Sequence, residues 1–357
     1  MNEQPYPLVT ELLYRAKNYS IEALSISPIF ELWRIESLDI DIVMAQLKSG
    51  LESDSLSAAD KLKLGFLIGY SWPLHYHPRT EELLLLAKTH IHENYVAESM
   101  LLWGKLASFL FRDNQLKRAL DEITLAFKWA KHRANARDIV PFMHWSTLIF
   151  VRLNRPQDIA TLAKAILTFS DAEEDSHYRQ CSELSLAMSL LDEGLLDKSH
   201  SLLEHTCNRI NAGTSRLCTW NQAGAVHCLA KIAYKKNDLQ SAEKLSSLSM
   251  ELNENDQHEI LKARSKVLRY KLARVNNASQ SASALLEDLA YYQDNLADDI
   301  DIKLNDDITR IRLAEQKEPQ PTVLDDSTAY EIEPEILKLQ QSFREYMHAC
   351  MYPPNQA

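Results

Sequence analysis

Apolar positions along this chain recur at three- and four-residue steps, the spacing of one buried helix face, and short polar turns interrupt them. Trp103, Leu106, Ala107 and Leu110 form one stripe. Asp113-Asn114 breaks it, and Leu116, Ala119, Ile123 and Ala126 form the next. Leu186, Ala187 and Leu190 lead in the same way through Glu193-Gly194 to Leu196, Ser199 and Leu203. Leu229, Ala230 and Ala233 lead through Asn237-Asp238 to Leu239 and Ala242. Two further stretches fit the frame: Leu148 with Ala160 about Asn154-Arg155-Pro156, and Tyr270 with Ala282 about Asn276-Asn277. A small residue on each side of a tight turn, as at Ala230 and Ala242, lets two antiparallel helices approach closely. The pattern predicts helical hairpins in series, with a fainter copy around Gly69 and Glu81.

The anchors 107, 148, 187, 230 and 270 lie about 40 residues apart, a period in the range of helical-repeat arrays. Trp103, Leu106 and Ala107, followed by Ala119, Ile123 and Ala126, and Leu229-Ala230 followed by Ala242, resemble the tetratricopeptide repeat. The resemblance spans residues 60 to 295. It departs from that family in lacking a proline at the close of each unit and in having a longer period, which extra turns on the second helices would supply. It implies an all-α, right-handed α-solenoid of antiparallel hairpins, whose first helices line a concave groove. It also implies a non-catalytic adaptor or regulator of bacterial type that binds a protein or peptide segment. Alternatives are a sensor of signalling peptides and a scaffold that oligomerises through its C-terminal helix.

The ends depart from the frame. Residues 1–58 read as an N-terminal cap or bundle, with one helix through Leu8, Leu12, Leu13 and Ala16 and another from Asp39 to Leu51, ended by Ser49-Gly50. The array is expected over 59–314. Residues 315–334 read as an acidic, proline-containing linker. Residues 335–357 carry an amphipathic helix striped by Ile336, Leu339, Phe343, Tyr346 and Met347, which must dock on a surface.

Composition removes other architectures. The chain has 357 residues and only 7 glycines, where average usage gives about 25. None falls in a phosphate-cradling pattern, so nucleotide-binding sheets and Walker-type folds are excluded. A net charge of −11 disfavours direct nucleic-acid binding. The 5 cysteines, without a Cys-x-x-Cys pair, read as free thiols of a cytoplasmic protein. The most apolar stretch, 139–151, contains Pro141 and His144 and is too short to span a membrane.

Candidate chemistry centres on the groove. The frame places Arg152, His227, Lys231, Tyr234, Lys235, Arg264, Lys271 and Arg274 on its inner face. On an acidic chain, such a basic strip favours an acidic peptide, a carboxyl terminus or a phosphorylated ligand. His75 and His77 precede a helix and His90 and His92 follow it, about 20 Å away at 1.5 Å per residue. One ion cannot join both pairs, and neither a metal nor a cofactor is expected. No nucleophile–base spacing argues for an enzyme.

Overall fold

The structure, a computed structural model, describes residues 7–20, 24, 39–70, 74, 77, 79–113, 115–133, 135–170, 177–215, 217, 219–253, 259–295, 302–315 and 326–351. Every α-helical or extended element among them is a helix, so the fold is all-α. The chain divides into two compact units, Met1–Ser146 with Glu331–Ala357, and Thr147–Tyr330.

The first unit contains α1 (Pro7–Asn18), α2 (Ile40–Glu52), α3 (Ala58–Tyr70), α4 (Thr80–Lys88), α5 (Val96–Arg112) and α6 (Leu116–Ala130). Asp39 caps α2 by accepting from the Ile42 amide. The helix ends one residue past the expected Leu51, with Gly50 inside its last turn. Val43, Met44, Leu47 and Leu51 continue one buried stripe past Gly50, and packing outweighs the weak helix preference of glycine. Helices α3, α4 and α5 pack on one another, and Gly65 sets their approach. A Cβ there would lie 2.4 Å from Ala87 Cβ and 2.9 Å from Leu102 Cδ1.

Beside this contact, Lys105 of α5 is 6% exposed. Its Nζ sits 3.6 Å from the ring centre of Trp145 and 4.0 Å from that of Tyr70. No described carboxylate forms an ion pair with it. Burial, with the Arg112 charge added, pulls its pKa well below the ordinary lysine value. The aromatic faces offset part of that desolvation.

The final helix, α16 by its place in the chain, spans Asp326–Met351. It begins at Asp326, not at Glu335, so its first turns occupy part of the segment expected as linker. Pro334 lies inside it. Its missing N–H leaves the Tyr330 carbonyl without its helical donor, but Ile332, Ile336 and Leu339 on both sides are buried and hold the helix. Within the first unit Phe343 and Tyr346 pack on Phe127 of α6, with ring centres 5.1 and 5.9 Å away, and Lys131 pairs with Glu345 at 3.0 Å. The apolar stripe of the last helix therefore docks on its own chain.

Helix α7 (Val140–Arg152) runs from the first unit into the second, which continues with α8 (Pro156–Phe169), α9 (His177–Asp192), α10 (Leu196–Asn211), α11 (Thr219–Lys235), α12 (Leu239–Asn253), α13 (Glu259–Val275), α14 (Ser279–Asn295) and α15 (Ile302–Ala314). Helices pair in sequence, α9 with α10, α11 with α12 and α13 with α14. First helices also touch one another: α9 meets α11, α11 meets α13, and α13 meets α15. This is the stacking of a helical-repeat solenoid.

The turns obey one rule. Asn154, Gly194, Asn237 and Asn277 all have positive φ, at 52°, 81°, 62° and 56°. At each, the next residue's amide donates back to the first helix, as in Asp238 N to Ala233 O at 2.9 Å and Ala278 N to Ala273 O at 2.8 Å. The turn amide itself donates one residue further along, Asn237 N to Tyr234 O at 3.0 Å. These paired bonds are the Schellman closure of a helix C-terminus. Asn tolerates the left-handed region better than other non-glycine residues, so the repeats need little glycine. The small anchors meet as their spacing requires. Ser199 Oγ donates to the Ala187 carbonyl at 2.7 Å, and Ala230 and Ala242 share a buried cluster with Leu268 and Leu272.

Candidate functional site

The first helices of the second unit form one side of a cleft of about 190 Å³. Helix α11 contributes Gly224, His227, Cys228, Lys231, Tyr234 and Lys235, a single face at three- and four-residue steps. Helix α13 contributes Leu261, Arg264, Val267, Leu268 and Lys271 with the same step. Met188, Leu191 and Asp192 face it from α9, and Leu304 and Asp307 from α15. Its lining combines aliphatic and charged side chains.

The repeat frame explains the composition. Six residues before each left-handed turn residue stand, in order, Leu148, Met188, Lys231 and Lys271. The same structural position therefore changes from apolar to basic along the array. Six of the eight residues expected in the groove line the cleft: His227, Lys231, Tyr234, Lys235, Arg264 and Lys271.

Arg152 and Arg274 do not line it. Arg274 stands three residues before its turn, where Val151, Leu191 and Tyr234 of other repeats do line the cleft. Glu315, beyond α15, draws it away: Arg274 Nε lies 3.4 Å from Glu315 Oε1, and its side chain is 55% exposed. Tyr270 donates to the same carboxylate at 2.5 Å. Burial and the Glu315 charge push the Tyr270 hydroxyl up to about 12, so it stays protonated. Arg152 is absent from the cleft lining.

The strip is less basic than the residues on its own helices imply. Lys271 Nζ meets Asp307 Oδ1 at 2.9 Å, and Lys231 Nζ lies 4.0 Å from Asp192 Oδ1. Lys235 Nζ donates to the Leu191 carbonyl at 3.1 Å, at the C-terminal end of α9, where the helix dipole favours a cation. Helix position alone could flag Asp192, two residues before its turn like Lys235, but not that it would face Lys231. Asp307 sits three residues after buried Leu304 on α15, which points it to the same side.

His227 is 5% exposed and its Nδ1 lies 3.4 Å from Ser265 Oγ. Burial drives its pKa well below the ordinary histidine value, and Lys231 and Arg264 push the same way. It enters the cleft as a neutral, hydrogen-bonding ring at neutral pH. Ammonium and guanidinium groups beside aliphatic side chains can recognise carboxylates attached to an apolar side chain.

Of the four histidines weighed as ligands, His77 contacts Asp41 at 3.2 Å, and the His92 ring accepts from the Asn94 amide at 3.2 Å. His75 lies outside the described residues. Among the described residues, no helix is long and apolar enough to cross a membrane. No protein-family model matches this sequence, and no curated protein matches it.

Proposed function

We propose that the chain is a non-catalytic adaptor or regulator of the tetratricopeptide type, which holds an acidic peptide or protein segment in the cleft of its second unit. The observation that carries this reading is the convergence of Lys231, Lys235, Arg264 and Lys271 from two neighbouring helices on one aliphatic cleft. These four cations face two carboxylates, Asp192 and Asp307, so the cleft has a positive surplus on a chain of net charge −11. A segment that presents acids beside an aliphatic or aromatic residue complements both features. Tyr234 and neutral His227 add hydrogen-bonding partners for its backbone.

The test is affinity capture from the native cell with wild type, a Lys231→Ala/Arg264→Ala/Lys271→Ala variant, and Arg274→Ala. The reading expects the triple variant to lose a bound protein that Arg274→Ala keeps. If the triple variant recovers the same partners in the same yield, the cleft is not the binding site. The last helix buries its stripe on α6 of its own chain, so the scaffold alternative has less support.

A further inference from the structure

Both lysines at the repeated groove position already hold a carboxylate. Asp192 reaches Lys231 from α9, and Asp307 reaches Lys271 from α15. Each acid comes from the helix flanking the central α11–α13 pair, so the cleft's charge is countered from both sides. We infer that Asp192 and Asp307 are its specificity-determining residues. They stop the cleft from capturing polyanions by charge alone and make an apolar anchor on the ligand a requirement. This inference rests on the peptide-binding reading above.

Without the two acids, four cations would line one concave surface and attract any string of negative charges. With them, a ligand carboxylate must replace a resident carboxylate of the same chemistry. Lys271 and Asp307 are 36% and 34% exposed. Exchange at such half-exposed pairs is open to a ligand but close to break-even. At these two positions charge then contributes little net affinity. The remaining driving force is burial of an apolar side chain against Leu191, Val267 and Leu268. His227 adds no further charge at neutral pH, because its buried ring resists protonation. A ligand bearing both an acid and an aliphatic residue satisfies the cleft; a purely acidic one does not.

The experiment uses the full chain and fluorescein-labelled peptides, read by anisotropy at low salt. The probes are Glu-Glu-Leu-Glu-Glu, pentaglutamate and Gln-Gln-Leu-Gln-Gln. Wild type is expected to bind the first and to bind pentaglutamate at least about tenfold more weakly, the factor that burying one leucine supports. Asp192→Asn/Asp307→Asn keeps the side-chain shape. It is expected to tighten pentaglutamate about tenfold, with a steeper salt dependence, and to leave the Gln peptide unchanged. The single variants give intermediate gains and serve if the double variant melts early. Unchanged pentaglutamate affinity in all three Asn variants overturns the inference. A Lys231→Ala/Arg264→Ala/Lys271→Ala chain that binds Glu-Glu-Leu-Glu-Glu like wild type overturns the peptide-binding reading itself. Failure of wild type and the Asn variants alike to bind either acidic probe overturns both.

Discussion

Alanine at two of the glycines should have opposite effects, because one Cβ meets backbone-anchored atoms and the other meets open space. In a helix interior the Gly→Ala change is intrinsically favourable by about 1 kcal/mol. At Gly224 of α11 nothing lies within 4 Å of the added Cβ, so Gly224→Ala should gain that full amount. At Gly65 the added Cβ would stand 2.4 Å from Ala87 Cβ, well inside the optimum of about 3.5–4.0 Å between carbon atoms. Neither Cβ can rotate away, so α3 and α4 must separate by more than about 1 Å. Overpacking of this kind costs up to about 3 kcal/mol. Net of propensity, Gly65→Ala should lose about 2 kcal/mol and sit about 3 kcal/mol below Gly224→Ala. Tryptophans 33, 72, 103, 129 and 145 precede Thr147 and only Trp220 follows it. Urea denaturation followed by tryptophan fluorescence therefore reports mainly on the unit holding Gly65, while far-ultraviolet circular dichroism reports on both. The swap Gly65→Ala/Ala87→Gly removes the short contact and exchanges one glycine for another, so it should return to within about 1 kcal/mol of wild type. The remaining 2.9 Å approach is to Leu102 Cδ1, a side-chain end that can turn. A Gly65→Ala protein as stable as wild type, or a swap that fails to rescue it, would refute the reasoning.

Buried Lys105 carries a sign that alkaline titration can read. Its folded pKa is depressed, so between that value and the unfolded value of about 10.5 the unfolded chain binds more protons, and stability rises with pH. Lys105→Met should flatten that rise, seen as the wild-type minus variant difference between pH 7 and pH 10; an unchanged slope contradicts it. His227 is also held neutral, so its contribution is complete above about 6.5 and is lost as pH falls toward its lower folded value. His227→Gln should lessen the acid sensitivity of unfolding between pH 7 and pH 5, and an equal loss in both proteins sinks the assignment. At Asn237, with φ of 62°, alanine should cost about 1–2 kcal/mol, while glycine should cost nothing or stabilise. Equal melts for the two variants would remove the turn argument. Phe343→Ala should cost the first unit about 3–5 kcal/mol in urea unfolding, since its ring packs against Phe127 and is 5% exposed. A loss below about 1 kcal/mol would mean that α16 contributes little.

Helix existence, turn positions and six of the eight expected groove residues were legible because each depends on neighbours within one or two turns. Asn154, Gly194, Asn237 and Asn277 take the left-handed geometry that their chemistry allows. The three- and four-residue step then assigns Lys231, Lys235, Arg264 and Lys271 to one side. The local signal misled where packing overruled it: buried Ile332 and Ile336 carry α16 across Pro334.

The order of apolar, small and polar residues thus determined an all-α chain of hairpins and the face each helix turns to the cleft, through periodicity and turn chemistry alone. Only the tertiary structure decided which charges meet across that face. Asp192 reaches Lys231, Asp307 reaches Lys271, and Glu315 takes Arg274 out of the lining. Those partners stand on, or just beyond, helices that neighbour in the stack, some 36 to 41 positions away in sequence, and their distances depend on how closely the helices stack. Lys105 is the same case: an unremarkable lysine in the helical pattern, it becomes a buried cation only because Tyr70 and Trp145, on two other helices, close over it.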